Sequence, residues 1–332
     1  MTVVAREPIS TSVATMKAAV ITSPRVCEVV DALIPRPRST EVLVRLEGCG
    51  VCASNIPPWE GREWFKYPMA PGALGHEGWG IIDSIGADVM HFAPGQRVAI
   101  LSQNAYAQYD TVDESNVIAL ADSLMGQPFP AEPLGCAMNI FKRCQIRAGQ
   151  TVAILGVGFL GAILTRLTSN ANANVIAISR RPFSLQIAHA MGAAHLLPMD
   201  DHWQIIEEVR GLTGGQFADV TIEAVGKQWP IDLAGEITRE RGRLVIAGYH
   251  QDGLRQINMQ LWNWRGFDIV SAHERDPKVY TDGMKAALEA VVTGQLDPTP
   301  LYTHVLPLEK LGEALDMTAS RPDGFLKALI KM

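Results

Sequence analysis

"TVAILGVGFLG", residues 151–161, decides the fold. A short apolar run, TVAIL, is followed at once by Gly156, Gly158 and Gly161, and then by the helix-patterned stretch FLGAILTRLT. The three glycines do different work. The first turns the chain, the second lets backbone approach a pyrophosphate, and the third lets helix pack on strand. The free N–H groups of the helix N-terminus then face the phosphates. A glycine-rich turn alone is weak evidence, but the strand–turn–helix context makes it a dinucleotide-binding signature. Gly156, Gly158, Phe159, Leu160 and Gly161 are therefore candidate cofactor-binding residues.

The pattern continues outward from that turn. VIAIS (175–179), AHLLP (194–198), DVTIEA (219–224), RLVIAG (243–248) and DIVSA (268–272) alternate with amphipathic connectors. Six such runs predict a doubly wound parallel sheet. Gly248, closing the fifth, is a further cofactor candidate. Residues 16–120 have another grammar: MKAAVIT, EVLVRLEGCGV, GWGIIDSIG, QRVAIL and NVIAL, punctuated by Gly and Pro. These predict a mostly β unit. Helical spacing appears in EPLGCAMNIFKRCQI, and again over 277–294 and 308–318. The closing FLKALIKM has a strand pattern with no helix after it, so it is expected to rejoin the first unit. The predicted division is an arm at 1–15, a catalytic unit at 16–135 and 275–332, and a dinucleotide unit at 136–274.

The 332 residues carry a net charge of −6, with pI near 5.8. That balance argues against nucleic acid or an anionic membrane as partner. No apolar run reaches the ~20 residues of a membrane span. The opening residues lack a charged start followed by an apolar block, so no secretory leader is expected. The five cysteines, Cys27, Cys49, Cys52, Cys136 and Cys144, are too few and odd in number for a disulfide framework. A reducing, cytoplasmic setting is expected.

The end of the second run bears on the cofactor. A carboxylate there would hold an unmodified ribose. This chain has Ser179, Arg180 and Arg181 instead. A serine and two guanidiniums accept the charge of a 2′-phosphate, which favours NADP(H) over NAD(H).

His76 and Glu77 stand together in PMAPGALGHEGWGIID (68–83), amid glycines and apolar residues. Such groups are costly there unless paired or coordinated. Cys49 and Cys52 form one CxxC pair without the second pair a zinc ribbon needs. Cys52, His76 and either Glu77 or Glu132 would instead make an open zinc site, with a position left for water or substrate. Zinc there would polarise an oxygen and lower its pKa.

GCGVCASN, GHEGWG, PGQRV, AYAQY, EPLGCA and GVGFLG, in this order, resemble the zinc-dependent medium-chain alcohol and polyol dehydrogenases. The resemblance runs from about Met16 to the C-terminus. It implies an α/β protein: a GroES-like, mostly β catalytic domain with an inserted Rossmann doubly wound parallel sheet. Cys52 and His76 match the first two zinc ligands, and Glu132 matches the place where the sorbitol-dehydrogenase-like branch has Glu. Glu77 matches the adjacent glutamate, in or beside the metal's coordination sphere. Ser54 matches the hydroxyl that takes the substrate's proton, and Lys327 a basic position near the pyrophosphate. Asn55 replaces the usual Asp that orients the zinc histidine, and Pro57 replaces a relay histidine. The cysteine lobe of a second, structural zinc is missing, so one zinc per subunit is implied. The expectation is a homo-oligomeric, NADP(H)-preferring oxidoreductase acting on an alcohol or its carbonyl. A zinc-free enone or quinone reductase of the same fold, or a non-catalytic dinucleotide-binding protein, is the alternative. Trp59 and Trp64 are equally candidates for pocket lining and for packing, and Trp262 and Trp264 for a subunit contact.

Overall fold

The computed structural model describes residues 14–332. Residues 1–13 of the expected arm lie outside the described residues. β1 (Thr15–Ser23) and β2 (Val26–Leu33) form an antiparallel hairpin. β3 (Glu41–Gly50), the short α1 (Ile56–Glu60), β4 (Glu77–Ile85), β5 (Arg97–Leu101), β6 (Tyr109–Asp113) and β7 (Val117–Ala119) follow. Apolar alternation sets β3 in the core, with Val42, Val44 and Leu46 buried. β2 and β6 were not evident in the sequence. β2 has no fully buried position, and β6 (YDTVD) carries two aspartates, of which Asp110 is buried and bonded to Ser102.

α2 (Ala131–Cys144) leads into the parallel unit. There β8 (Thr151–Leu155), α3 (Phe159–Asn170), β9 (Asn174–Ser179), α4 (Pro182–Ala190), β10 (His195–Pro198) and α5 (His202–Leu212) alternate. β11 (Ala218–Glu223), α6 (Gln228–Ile237), β12 (Thr238–Ile246), α7 (Met259–Arg265) and β13 (Asp268–Ser271) complete it. The strands are parallel in the order β10-β9-β8-β11-β12-β13. This is the doubly wound arrangement, whose ligand crevice lies where the order reverses, between β8 and β11. All six apolar runs of the sequence are its strands. Side chains start the helices where backbone N–H groups lack partners. Asp201 accepts from Trp203 N and Gln204 N, and Asp276 from Lys278 N, all at 2.9 Å.

α8 (Pro277–Val292), β14 (His304–Pro307), α9 (Leu311–Ser320) and β15 (Ala328–Lys331) close the chain. β15 pairs antiparallel with β3, Ile330 opposite Cys49. The chain's end thus lies in the seven-stranded sheet of its beginning, β14-β15-β3-β4-β5-β7, with β6 added on β3. One apolar cluster joins Trp79 and Ala99 of that sheet, Leu134 and Ile140 of α2, and Ile154 and Ile222 of the parallel sheet. Burying a large apolar side chain contributes about 1.5–3 kcal/mol. The two sheets are therefore held to one another by a shared core, which fixes the cleft between them.

Candidate active site

Cys52 lies just past β3, and His76 and Glu77 stand at the start of β4. Antiparallel pairing, with Cys49 opposite Gly78, sets the two segments side by side. One ligand atom from each of Cys52, His76 and Glu77 lies within 4.8 Å of the others. Nδ1 of His76 donates to the carbonyl of Leu74 at 2.9 Å, which turns Nε2 towards Cys52. Burial alone would lower the His76 pKa. Cys52, Glu132 and Glu77 outweigh it and raise the value to about 10.

Asn55, in the place of the family's histidine-orienting Asp, makes no hydrogen bond to His76 itself. Its Oδ1 accepts from Cys52 N at 3.4 Å and from the Tyr106 hydroxyl at 2.8 Å. Its Nδ2 donates to the Leu74 carbonyl at 3.1 Å, the same oxygen that fixes His76. Asn55 therefore orients the histidine at one remove. Ser54, in the turn between Cys52 and α1, donates its N–H to the Cys52 sulfur at 3.5 Å.

Glu77 is fully buried, and Lys327 is 5% exposed. The ammonium lies 2.6 Å from both carboxylate oxygens, yet Oε2 has no aligned hydrogen bond. Gly50 makes the room: a Cβ there would sit 1.8 Å from Oε2. Lys327 thus does not present a free ammonium to a pyrophosphate. It also lies 5.1 Å from the ring centre of Phe159, at the start of α3, so it joins the His76–Glu77 pair to the glycine turn. Glu132 is buried but falls outside the group of three. Its Oε1 accepts from Cys136 Sγ at 3.1 Å, and burial raises its pKa, with Glu77 adding and His76 opposing. A cysteine sulfur, an imidazole and a carboxylate oxygen without a hydrogen-bond donor are a donor set that fits zinc.

The glycine turn matches its expected physics. Gly156 is left-handed at φ 93°. A Cβ on Gly161 would come 2.0 Å from the Gly156 carbonyl, whereas one on Gly158 would meet nothing within 4 Å. Gly158 precedes α3 without a side-chain cap, so no side chain satisfies the first N–H groups of the helix. Phe159 and Leu160 begin that helix, half-buried. Gly248 packs against the loop after β11, where a Cβ would meet Gly226 N at 2.3 Å. Ser179 is buried at the end of β9 and Arg180 is exposed. Arg181 is half-buried, and its Nη1 donates to the Phe325 carbonyl at 2.6 Å, which takes one of its five N–H groups.

Two family models match in tandem: an alcohol dehydrogenase GroES-like domain over 38–141 and a zinc-binding dehydrogenase over 157–289. The chain belongs to the zinc-dependent medium-chain dehydrogenase superfamily. An alcohol dehydrogenase of Cupriavidus necator is 27% identical, over 96% of this chain and 99% of that one. A sorbitol dehydrogenase of Bacillus subtilis is 23% identical, over 95% and 97%. A putative zinc-binding dehydrogenase from Sinorhizobium meliloti, solved bound to NADP, superposes with a TM-score of 0.83 at 24% identity, covering 96% and 100%. The chain is an oxidoreductase of the alcohol and polyol dehydrogenase type.

The dehydrogenase also carries a network the sequence reading missed. Glu223, fully buried at the end of β11, accepts from Val225 N and Gly226 N and pairs with His250 Nε2 at 3.0 Å. Arg255 donates to His250 Nδ1 at 2.9 Å and bonds Asp252, which Lys227 also holds. This fixes the loop after β12, where Gln251 takes a bond from Arg62 at 2.7 Å and reaches the Ala53 carbonyl at 3.4 Å. A glutamate ending an apolar strand was the available signal. Trp59 is buried and bonds Asp316 at 2.8 Å, so it packs and does not line a pocket. Trp262 is likewise core, whereas Trp64 and Trp264 are exposed. Among the described residues no helix is long and apolar enough to cross a membrane.

Proposed function

We propose that this dehydrogenase holds one zinc ion through Cys52, His76 and Glu77 and interconverts an alcohol or polyol with its carbonyl, using NADP(H). The convergence of the three donor atoms within 4.8 Å, linked by Lys327 to the glycine turn, carries the reading. When bound, the metal supplies a Lewis acid that lowers an alcohol's pKa, and the nicotinamide supplies the hydride acceptor. The protein's own groups do the rest. The Leu74 carbonyl and Asn55 orient His76, and Lys327 balances the charge of Glu77. Ser54 accepts the alcohol's proton. With Pro57 in place of a relay histidine, that proton passes to the cofactor ribose or to water. Glu132, a buried carboxylate beside the group, suits a substrate bearing a second hydroxyl. The N-terminus of α3 and the turn before it take the pyrophosphate, and the Ser179–Arg180 corner takes the adenosine ribose. The open edge of the parallel sheet, β13 with Ile269 exposed, and Trp264 on α7 support a homo-oligomer.

A panel of simple alcohols and polyols, run with NADP and NAD on zinc-loaded and zinc-stripped protein, tests the reading. Zinc-dependent oxidation of at least one alcohol, with a lower KM for NADP, is expected. Equal rates in stripped and loaded protein would overturn the metal's role, and reduction of enones alone would overturn the alcohol.

A further inference from the structure

The last helix ends beside the arginine corner of the second parallel strand. Arg321, just past α9, is left-handed at φ 50°, and its N–H caps the helix on the Met317 carbonyl at 2.8 Å. The next residues turn back on themselves, Phe325 N donating to the Pro322 carbonyl at 3.1 Å. Arg181 grips that turn from the other sheet through the Phe325 carbonyl, 144 positions away in sequence. Arg180 and Arg321 therefore flank one clamp. Neither guanidinium has a carboxylate within ion-pairing distance or a hydrogen-bond partner among the described residues, although Asp323 lies in the same turn. Burial, Arg321 and Arg180 lower the pKa of Arg181 against the opposing charge of Asp323, and burial and Arg180 lower that of Arg321, so the cations are near enough to feel one another.

We propose that Arg321 and Arg180 together bind the 2′-phosphate of the dinucleotide, and that Arg181 is the positioning residue that carries Arg321 to it. The inference rests on the NADP(H) reading above and extends it: the specificity-determining charge comes from the C-terminal segment, outside the parallel unit. A phosphomonoester carries about −1.5 to −2 charges and three acceptor oxygens, which two forked guanidiniums satisfy in bidentate fashion. Arg181 holds the Phe325 carbonyl through Nη1 and contributes geometry and field. Cofactor binding would then also tighten the contact between the two sheets.

Calorimetric titration with 2′,5′-ADP and with 5′-AMP tests this without any turnover. Arg321→Asn is the variant of choice, because asparagine tolerates the left-handed backbone while it removes the guanidinium. Wild-type protein should bind 2′,5′-ADP at least tenfold tighter than 5′-AMP. Arg321→Asn and Arg180→Gln should each cut that preference about tenfold while leaving 5′-AMP within twofold. Arg181→Gln should weaken 2′,5′-ADP as well, and should make the 321–325 turn exchange its amide hydrogens faster. A wild-type preference that survives Arg321→Asn would overturn the inference and leave the NADP(H) reading standing. No preference in the wild type would overturn both.

Discussion

Replacing Lys327 by methionine should cost far more without zinc than with it. The ammonium lies 2.6 Å from Glu77, and both side chains are almost wholly buried, at 6% and 0% exposure. At an effective dielectric of about 20, the gross attraction at that distance is about 6 kcal/mol, most of which desolvation offsets. Removing one partner of such a pair leaves the other buried and uncompensated, at a cost of about 3–5 kcal/mol. Metal-free Lys327→Met should therefore lose about that much stability in urea and melt roughly 5–10 °C lower. Zinc supplies Glu77 with another counter-charge, so the loaded variant should lose only about 1–2 kcal/mol. By linkage, zinc should then bind the variant more tightly than the wild type, by about tenfold or more. Urea unfolding and chelator competition, each repeated in a Glu77→Gln background, measure all of these terms. A loss below about 1 kcal/mol in metal-free protein, or an equal loss in the Glu77→Gln background, would refute the argument.

Three further outcomes follow from the same geometry. Gly50→Ala places a methyl 1.8 Å from Glu77 Oε2, so the carboxylate must move, and zinc affinity should fall about 10–100-fold in chelator competition. Wild-type affinity in that variant would show that Glu77 does not act at the metal. Ser54→Ala should lower kcat for alcohol oxidation by about 10²-fold or more while dinucleotide binding stays within twofold. An unchanged kcat assigns the proton to another group. Asp252 is held below the usual carboxylate range by its bonds to Lys227 and Arg255. A depressed folded pKa contributes stability above the unfolded value, about 3.9, that is lost as pH falls through the folded one. Asp252→Asn should thus lose stability at pH 7, and its gap to the wild type should narrow steadily as pH falls below about 4, as the wild type loses the same term. A constant gap across that range would show that the charge of Asp252 is not involved.

The parallel sheet was legible because each strand is a compact apolar run, and the turn after the first shows its three glycines in order. β2 and β6 were not, since one buries no residue fully and the other carries acids that only tertiary partners satisfy. Cys52, His76 and Glu77 were legible as chemistry because thiol, imidazole and carboxylate are conspicuous in an apolar, glycine-rich setting. Their support was not. The carbonyl that fixes His76 belongs to Leu74, and backbone groups leave no mark in a residue pattern. Lys327 meets Glu77 across 250 positions and Arg181 meets Phe325 across 144, distances no local pattern spans. Arg181 shows the consequence. Its residue type pointed to phosphate, and one of its N–H groups also meets the Phe325 carbonyl, in the turn before β15. Trp59 shows the same ambiguity for an aromatic residue, which packs or lines a pocket according to neighbours supplied by α9.

Cys52, His76 and Glu77 are proposed to hold a metal together. Mass spectrometry of metal content, on protein purified without chelator or histidine tag, tests it most directly. About one zinc per chain is expected, lost in Cys52→Ala. Protein that stays metal-free after reconstitution, or that keeps its zinc in Cys52→Ala, would contradict it.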